Sequence, residues 1–342
     1  MSRFQNYLNE DDNMKYVNLS DEPTEDTIGK INPDDPEFGD IINKIKNTVM
    51  GSSLKEFALD LLSKNGYHNA SSTDINNISA LIQENFKGSS EEIEELKNLE
   101  PYEISMQDGS IDSIDNIASK YSDYLNEQYF KEISKLNLQQ TTSMGKGELV
   151  LGLHTQLENS KSHGDLQTTN EEIVEVKGPK GRLKGNKPDV KTVDVAIDQL
   201  NQHFDFVPSG KSIGSTTLKE LIKFLDDSVI KDNQKMKKLV EIFQHFNVKP
   251  PKNSTKLLKN ILQSRNKESL KSFLLALHLY CYREKDEFKY LITFGKNGKK
   301  FIIYEVRGKG IEDLYKIMQN YSMVGPWSER AQDASFQILP KI

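Results

Sequence analysis

The order of helical and extended periodicities predicts a mixed α/β fold. It would be a mixed sheet flanked by helices, with an N-terminal all-helical part and a helical insertion. Three observations predict it. Apolar residues recur at helical spacing through most of residues 38–137. Short extended stretches near 163–168, 171–177, 288–294, 300–306 and 335–339 read as strands. A Lys-rich helical run over 209–265, broken at Lys249-Pro250-Pro251, separates the first strands from the later ones.

Residues 1–40 are polar and acidic, with three prolines, and read as a flexible acidic arm. Residues 41–140 read as a helical acidic domain. Its helices are expected over 38–50, 54–64, a stretch capped by Ser71, Ser72 or Thr73, and 111–137. A loop from Thr141 to Gly147 leads into a short apolar helix, 148–157, which opens the first part of the core, 141–204. A Gly/Lys/Pro-rich loop covers 178–191, and 192–203 is helical in pattern. The Lys-rich insertion spans 205–265, and 266–342 completes the core with a helix at 269–284, a hairpin turning at Gly295–Gly298, a helix at 310–320 and a last strand.

Charge is divided unevenly. The 342-residue chain has a formal charge of −6, but residues 1–140 carry −15 and residues 141–342 carry +9. A basic C-terminal part suits a polyanionic partner, and the acidic part suits docking to a protein. No run of about 18 apolar residues is present, so no membrane-spanning helix is expected. The N-terminus has no apolar segment of the secretory type. The single cysteine, Cys281, excludes an intrachain disulfide and a four-cysteine zinc site, and fits a reducing, intracellular setting.

One constellation carries chemistry. In an extended Glu175-Val176-Lys177, alternation places Glu175 and Lys177 on one face and Val174 and Val176 on the other. Asp165 precedes Glu175 by a spacing that suits two antiparallel strands joined at Thr168-Thr169-Asn170. Glu148, at the start of the preceding helix, can reach the same corner. Three carboxylates suit Mg²⁺. An ammonium beside them can orient a water or stabilise developing charge.

With Gly145-Lys146-Gly147-Glu148, Gly164-Asp165-Leu166, Glu175-Val176-Lys177-Gly178 and Gly181-Arg182-Leu183, the arrangement resembles the PD-(D/E)XK nuclease superfamily, the restriction-endonuclease-like fold. The phrasing is most similar to nuclease-like proteins of tailed bacteriophages. Glycine stands at 164 where the family name has proline. The resemblance covers 145–200 and, more loosely, 269–306. It implies a Mg²⁺-dependent deoxyribonuclease, an endonuclease rather than an exonuclease, with Mn²⁺ as a substitute. Glu148, Asp165 and Glu175 would hold metal, with the Val176 carbonyl as an extra ligand, and Lys177 would position the attacking water. Lys146, Lys180, Arg182, Lys184, Lys187 and Gln199 would contact DNA. The alternative is a phage virion or DNA-end-binding protein on the same fold, with weak or lost cleavage. The resemblance further implies a homodimer, a place in the host cytoplasm or the virion, and contact with virion proteins through the acidic part.

Other signals are weaker. Gly145-x-Gly147 lacks the third glycine of a dinucleotide loop, and Asp205 breaks a P-loop reading of Gly210-Lys211-Ser212. The six histidines show no paired metal spacing. His278, in a very apolar helix, reads as a buried structural histidine.

Overall fold

A computed structural model describes residues 36–68, 70–136, 147–160, 164–179, 181–183, 251–264, 266–323 and 336–342. The chain divides into two compact units, residues 1–52 and residues 53–342. Of the first, only the start of helix α1 (Pro36–Lys64) is described. The last five residues of the expected flexible arm, 36–40, are therefore helical. The break expected between two helices at 51–53 is absent: a lone glycine costs only about 1 kcal/mol inside a helix, and the apolar spacing continues through it. Leu54, Phe57, Ala58 and Leu62 are buried in the second unit.

Helix α2 (Ser72–Asn85) starts at a capping box. The Ser71 hydroxyl accepts the Asp74 amide, and the Asp74 carboxylate accepts the Ser71 amide. Helix α3 (Glu92–Lys97) follows. The single helix expected over 111–137 is instead strand β1 (Ile111–Ser113), helix α4 (Ile114–Lys120) and helix α5 (Glu127–Ile133). The physical reason is local. The Ser113 side chain caps α4, turns at Tyr121–Tyr124 end it, and β1 finds a partner strand. The N-terminal part is thus not all helical.

Helix α6 (Glu148–His154) begins at Gly147, whose φ of +93° is tolerated best by glycine. It stops three residues short of the expected 157, and all seven of its residues are buried. Strands β2 (Glu158–Asn159), β3 (Leu166–Gln167) and β4 (Ile173–Lys177) form an antiparallel meander. Strand β5 (Arg182–Leu183) is a short strand where a loop was expected. After helices α7 (Ser254–Ser264) and α8 (Lys267–Asp286) come strands β6 (Tyr290–Phe294) and β7 (Lys300–Glu305). Helix α9 (Ile311–Met318) and strands β8 (Tyr321–Met323) and β9 (Phe336–Pro340) close the described chain.

Six strands form one mixed sheet in the order β1-β7-β6-β4-β3-β2. The pairing of β4 with β6 is parallel, with Lys177 opposite Thr293, and the other pairings in this sheet are antiparallel. A second sheet has the order β5-β9-β8. Register assigns the faces of the main sheet. Leu291, Ile302 and Tyr304 share the face of Glu175 and belong to one apolar cluster with Phe273, Leu275 and Leu279 of α8 and Leu314 of α9. Ile261 of α7 joins them, so the end of the expected insertion packs in the core. On the other face lie buried Val174, Val176, Ile292, Phe294 and Phe301. Against these, the α6 backbone at Gly147 touches the Phe294 ring. The layers are helix, sheet, helix.

Candidate functional site

The turn between β3 and β4 fixes Asp165 and Glu175 relative to one another. Thr168 N–H donates to the Glu172 carbonyl, and Glu171 N–H donates to the Thr168 carbonyl, closing the hairpin where expected. Register then sets Leu166 opposite Val174. The Asp165 amide donates to the Val174 carbonyl at 3.2 Å. Its carboxylate reaches along β4 and accepts the Val176 amide at 2.7 Å. Val176 therefore contributes an N–H to this corner.

Alternation holds as expected along β4. Val174 and Val176 are fully buried in apolar surroundings, and Glu175 and Lys177 project from the other face. The Lys177 ammonium contacts Glu175 Oε1 and lies 4.0 Å from Asp165 Oδ2. These side chains are only 11% (Lys177), 3% (Glu175) and 15% (Asp165) exposed. Burial disfavours the Lys177 charge. The carboxylates of Glu175, Asp165 and Glu148 overcome that penalty and hold Lys177 above the ordinary lysine value.

Two tyrosines at the site escaped the sequence reading. Tyr282, on α8, donates its hydroxyl to the same Glu175 Oε1, and the Lys177 ammonium sits over its ring, 5.3 Å from the centroid. Burial first, and the Glu175 charge second, push the Tyr282 hydroxyl far above its usual range, so it acts only as a donor. Tyr67 is 5% exposed. Its hydroxyl packs on the α6 backbone at Gly152, one turn after Glu148, where a side chain would collide with it. Burial, then Glu148 and Asp165, raise it too. The helical phase of α8 marks Tyr282 only as a core residue, and Tyr67 follows the helix stop at Gly66 with no local pattern to single it out.

Asp165, Glu175 and Lys177 are thus brought together, with Glu148 within electrostatic reach of Lys177. Arg182 is exposed on β5, opposite Gln337 of β9. Lys146, Lys180, Lys184, Lys187 and Gln199 lie outside the described residues. His278 is buried, as expected.

Can this corner hold a divalent cation? Among the described residues, no three acidic, histidine or cysteine side chains converge to ligating distance. The Lys177 ammonium stands against Glu175 instead. The donor type and charge nevertheless fit. Three carboxylates against one ammonium leave a formal −2 in a largely buried corner, and hard oxygens suit Mg²⁺. Glu175 Oε1 is already taken by the Lys177 ammonium and the Tyr282 hydroxyl, and Asp165 Oδ2 by the Val176 amide.

Among the described residues, no helix is long and apolar enough to cross a membrane. In comparison with known proteins, the chain matches no family model, no curated protein and no solved structure.

Proposed function

We propose that the chain is a Mg²⁺-dependent DNA endonuclease of the PD-(D/E)XK type, encoded by a phage. The observation that carries this reading is the convergence of Asp165, Glu175 and Lys177 at the end of β4, with Glu148 within electrostatic reach. The helix α8 and strand β6 support it further, because they extend the sheet beside the acid-x-lysine strand as the resemblance expects. When bound, the cation supplies charge neutralisation at a phosphodiester and makes water a stronger acid. The chain's own residues do the rest. Glu148, Asp165 and Glu175 would hold the ion, and Asp165 is oriented by the Val176 amide. Tyr282 fixes the Glu175 carboxylate from behind. Lys177, released from Glu175, orients the attacking water and offsets charge on the phosphate.

The test is nicking of supercoiled plasmid with Mg²⁺ or Mn²⁺, comparing wild type with Glu175→Ala and Lys177→Ala. The expected outcome is metal-dependent nicking that falls by at least about 10²-fold in each variant, the scale of losing an electrostatic partner. Folded wild type that leaves duplex, single-stranded and branched DNA intact overturns the reading. A second reading, a DNA-end-binding virion protein with lost cleavage, is favoured by the closure of Lys177 and Tyr282 on Glu175. Mass spectrometry of purified particles distinguishes an assembly component from a free enzyme.

A further inference from the structure

The charges at the two ends of the parallel pair β4 and β6 are treated differently. At the end where β6 starts, Lys289 pairs with Glu172 at 2.6 Å and Glu305 at 3.6 Å, and Lys309 pairs with Asp108 at 2.9 Å. At the other end, the β6–β7 turn carries Lys296, Lys299 and Lys300, all exposed, and no acid occurs between Glu287 and Glu305. Lys299 has Asp115 at 3.7 Å. Lys296 and Lys300 make no ion pair among the described residues.

This turn borders the carboxylate corner on two sides. Gly298 lies beside the Pro179 ring in the loop that follows Lys177, where an added Cβ would stand 3.5 Å from the ring. Phe294, the last residue before the turn, touches the backbone at Gly147, the residue before Glu148. Lys177 itself is in register with Thr293. The turn is held rigidly there: Gly298 N–H donates to the Gly295 carbonyl at 2.9 Å, Lys299 N–H to Asn297 Oδ1 at 3.2 Å, and Gly295 N–H to the Lys300 carbonyl at 2.8 Å.

We propose that the β6–β7 turn is a DNA-binding rim of the site, with Lys296 and Lys300 each contacting a backbone phosphate next to the one that reaches Glu148, Asp165 and Glu175. The proposal rests on the nuclease reading and adds a contact surface to it. Two exposed ammonium groups without carboxylate partners among the described residues, on an ordered turn beside an anionic corner, favour a polyanion laid across the rim. Such contacts fix register on the strand and carry no sequence information. Each releases counterions, so each adds to the salt dependence of binding.

The test uses the full chain in EDTA, where binding is read without cleavage. A fluorescently labelled duplex is titrated over a range of salt concentrations with wild type, Lys296→Ala/Lys300→Ala, the conservative Lys296→Arg/Lys300→Arg, and Lys316→Ala on α9 as a charge control. The expected result is that the alanine pair lowers the slope of log affinity against log salt by about 2 and weakens low-salt binding about tenfold. The arginine pair and Lys316→Ala keep the wild-type slope. An alanine pair that retains the wild-type slope overturns the rim, and so does an equal loss in Lys316→Ala. If wild type nicks plasmid and only the rim variants are unremarkable, the nuclease reading stands and the rim fails. If wild type neither binds nor nicks, both fail. Should the alanine pair fold poorly, Lys296→Ala alone must still lower the slope by about 1.

Discussion

Helix α6 begins with Glu148 and ends with His154, and both are buried, yet the two ends bury polar groups in opposite ways. The Glu148 end lies within electrostatic reach of the Lys177 ammonium, which also feels Asp165 and Glu175. Around His154 the neighbours are aromatic. Tyr121, Tyr129 and Phe130 meet its ring edge-on at centroid distances of 4.9 to 5.3 Å, the Tyr129 hydroxyl bonds Nε2 at 2.8 Å, and Nδ1 has no hydrogen-bond partner among the described residues. Burial drives the imidazole down to about 3, so it stays neutral. A neutral ring needs little more than packing and one hydrogen bond. An excess of carboxylates needs cations. The difference separates a neutral polar cluster from a charged one.

Removing the cation at the Glu148 end is expected to have the largest effect. Lys177→Met leaves the buried Glu175 carboxylate without its ammonium and should cost about 3–5 kcal/mol in urea unfolding without metal. Partial recovery on adding Mg²⁺ would show the ion substituting for the lost charge. An effect below about 1 kcal/mol would mean that the two ends do not differ as described.

At the His154 end the next effect is a pH dependence. The folded-state value, about 3, lies below the unfolded value of 6.5. Between these limits the unfolded chain binds a proton that the folded chain does not, so stability falls as pH drops below about 6.5. From this group alone the loss at pH 5 is about 2 kcal/mol. His278 is lowered to about 3 by the same burial and acts in the same direction. His154→Gln should flatten the difference between pH 7 and pH 5 by about 2 kcal/mol, whatever it does to absolute stability. An unchanged pH slope would show that His154 is not held neutral.

Smaller effects sharpen the contrast. Tyr129→Phe removes the hydrogen bond to His154 Nε2, the only one its ring makes among the described residues, and should destabilise by about 1–2 kcal/mol at pH 7. Tyr67→Phe, beside the other end, should act in reverse. Its buried hydroxyl has no hydrogen-bond partner among the described residues, so deletion should raise metal-free stability by about 1 kcal/mol. A loss of stability instead would place a bonded water or ion on that hydroxyl.

Much of the site was legible because it depends on short-range rules. Alternation alone put Glu175 and Lys177 together, and the spacing to Asp165 needed only a turn at 168–170. Tyr282 was not legible. Its bond to Glu175 joins residues 107 apart, and no local pattern encodes a contact made by a helical crossover. The fold was legible in the same proportion. Helices α2, α8 and α9 and strands β6 and β7 follow strong periodicities or caps. The two-residue β2 and β5 carry too few residues to show any period, and β1 is extended because β7 offers it an edge. Ile261 of amphipathic α7, inside the expected insertion, packs in the core, although α7 has the same Lys-rich texture as the segment before it.

The long crossover between β4 and β6 also sets a timetable. A ribosome adds about 5–20 residues per second, so Glu175 emerges several seconds before Tyr282, 107 residues on, can bond it. During that interval β4 has an open edge where β6 will pair, which invites wrong partners. Pairing across so much chain also slows folding in its own right. The carboxylate corner therefore cannot take its final form on a nascent chain until synthesis has nearly reached the C-terminal strands.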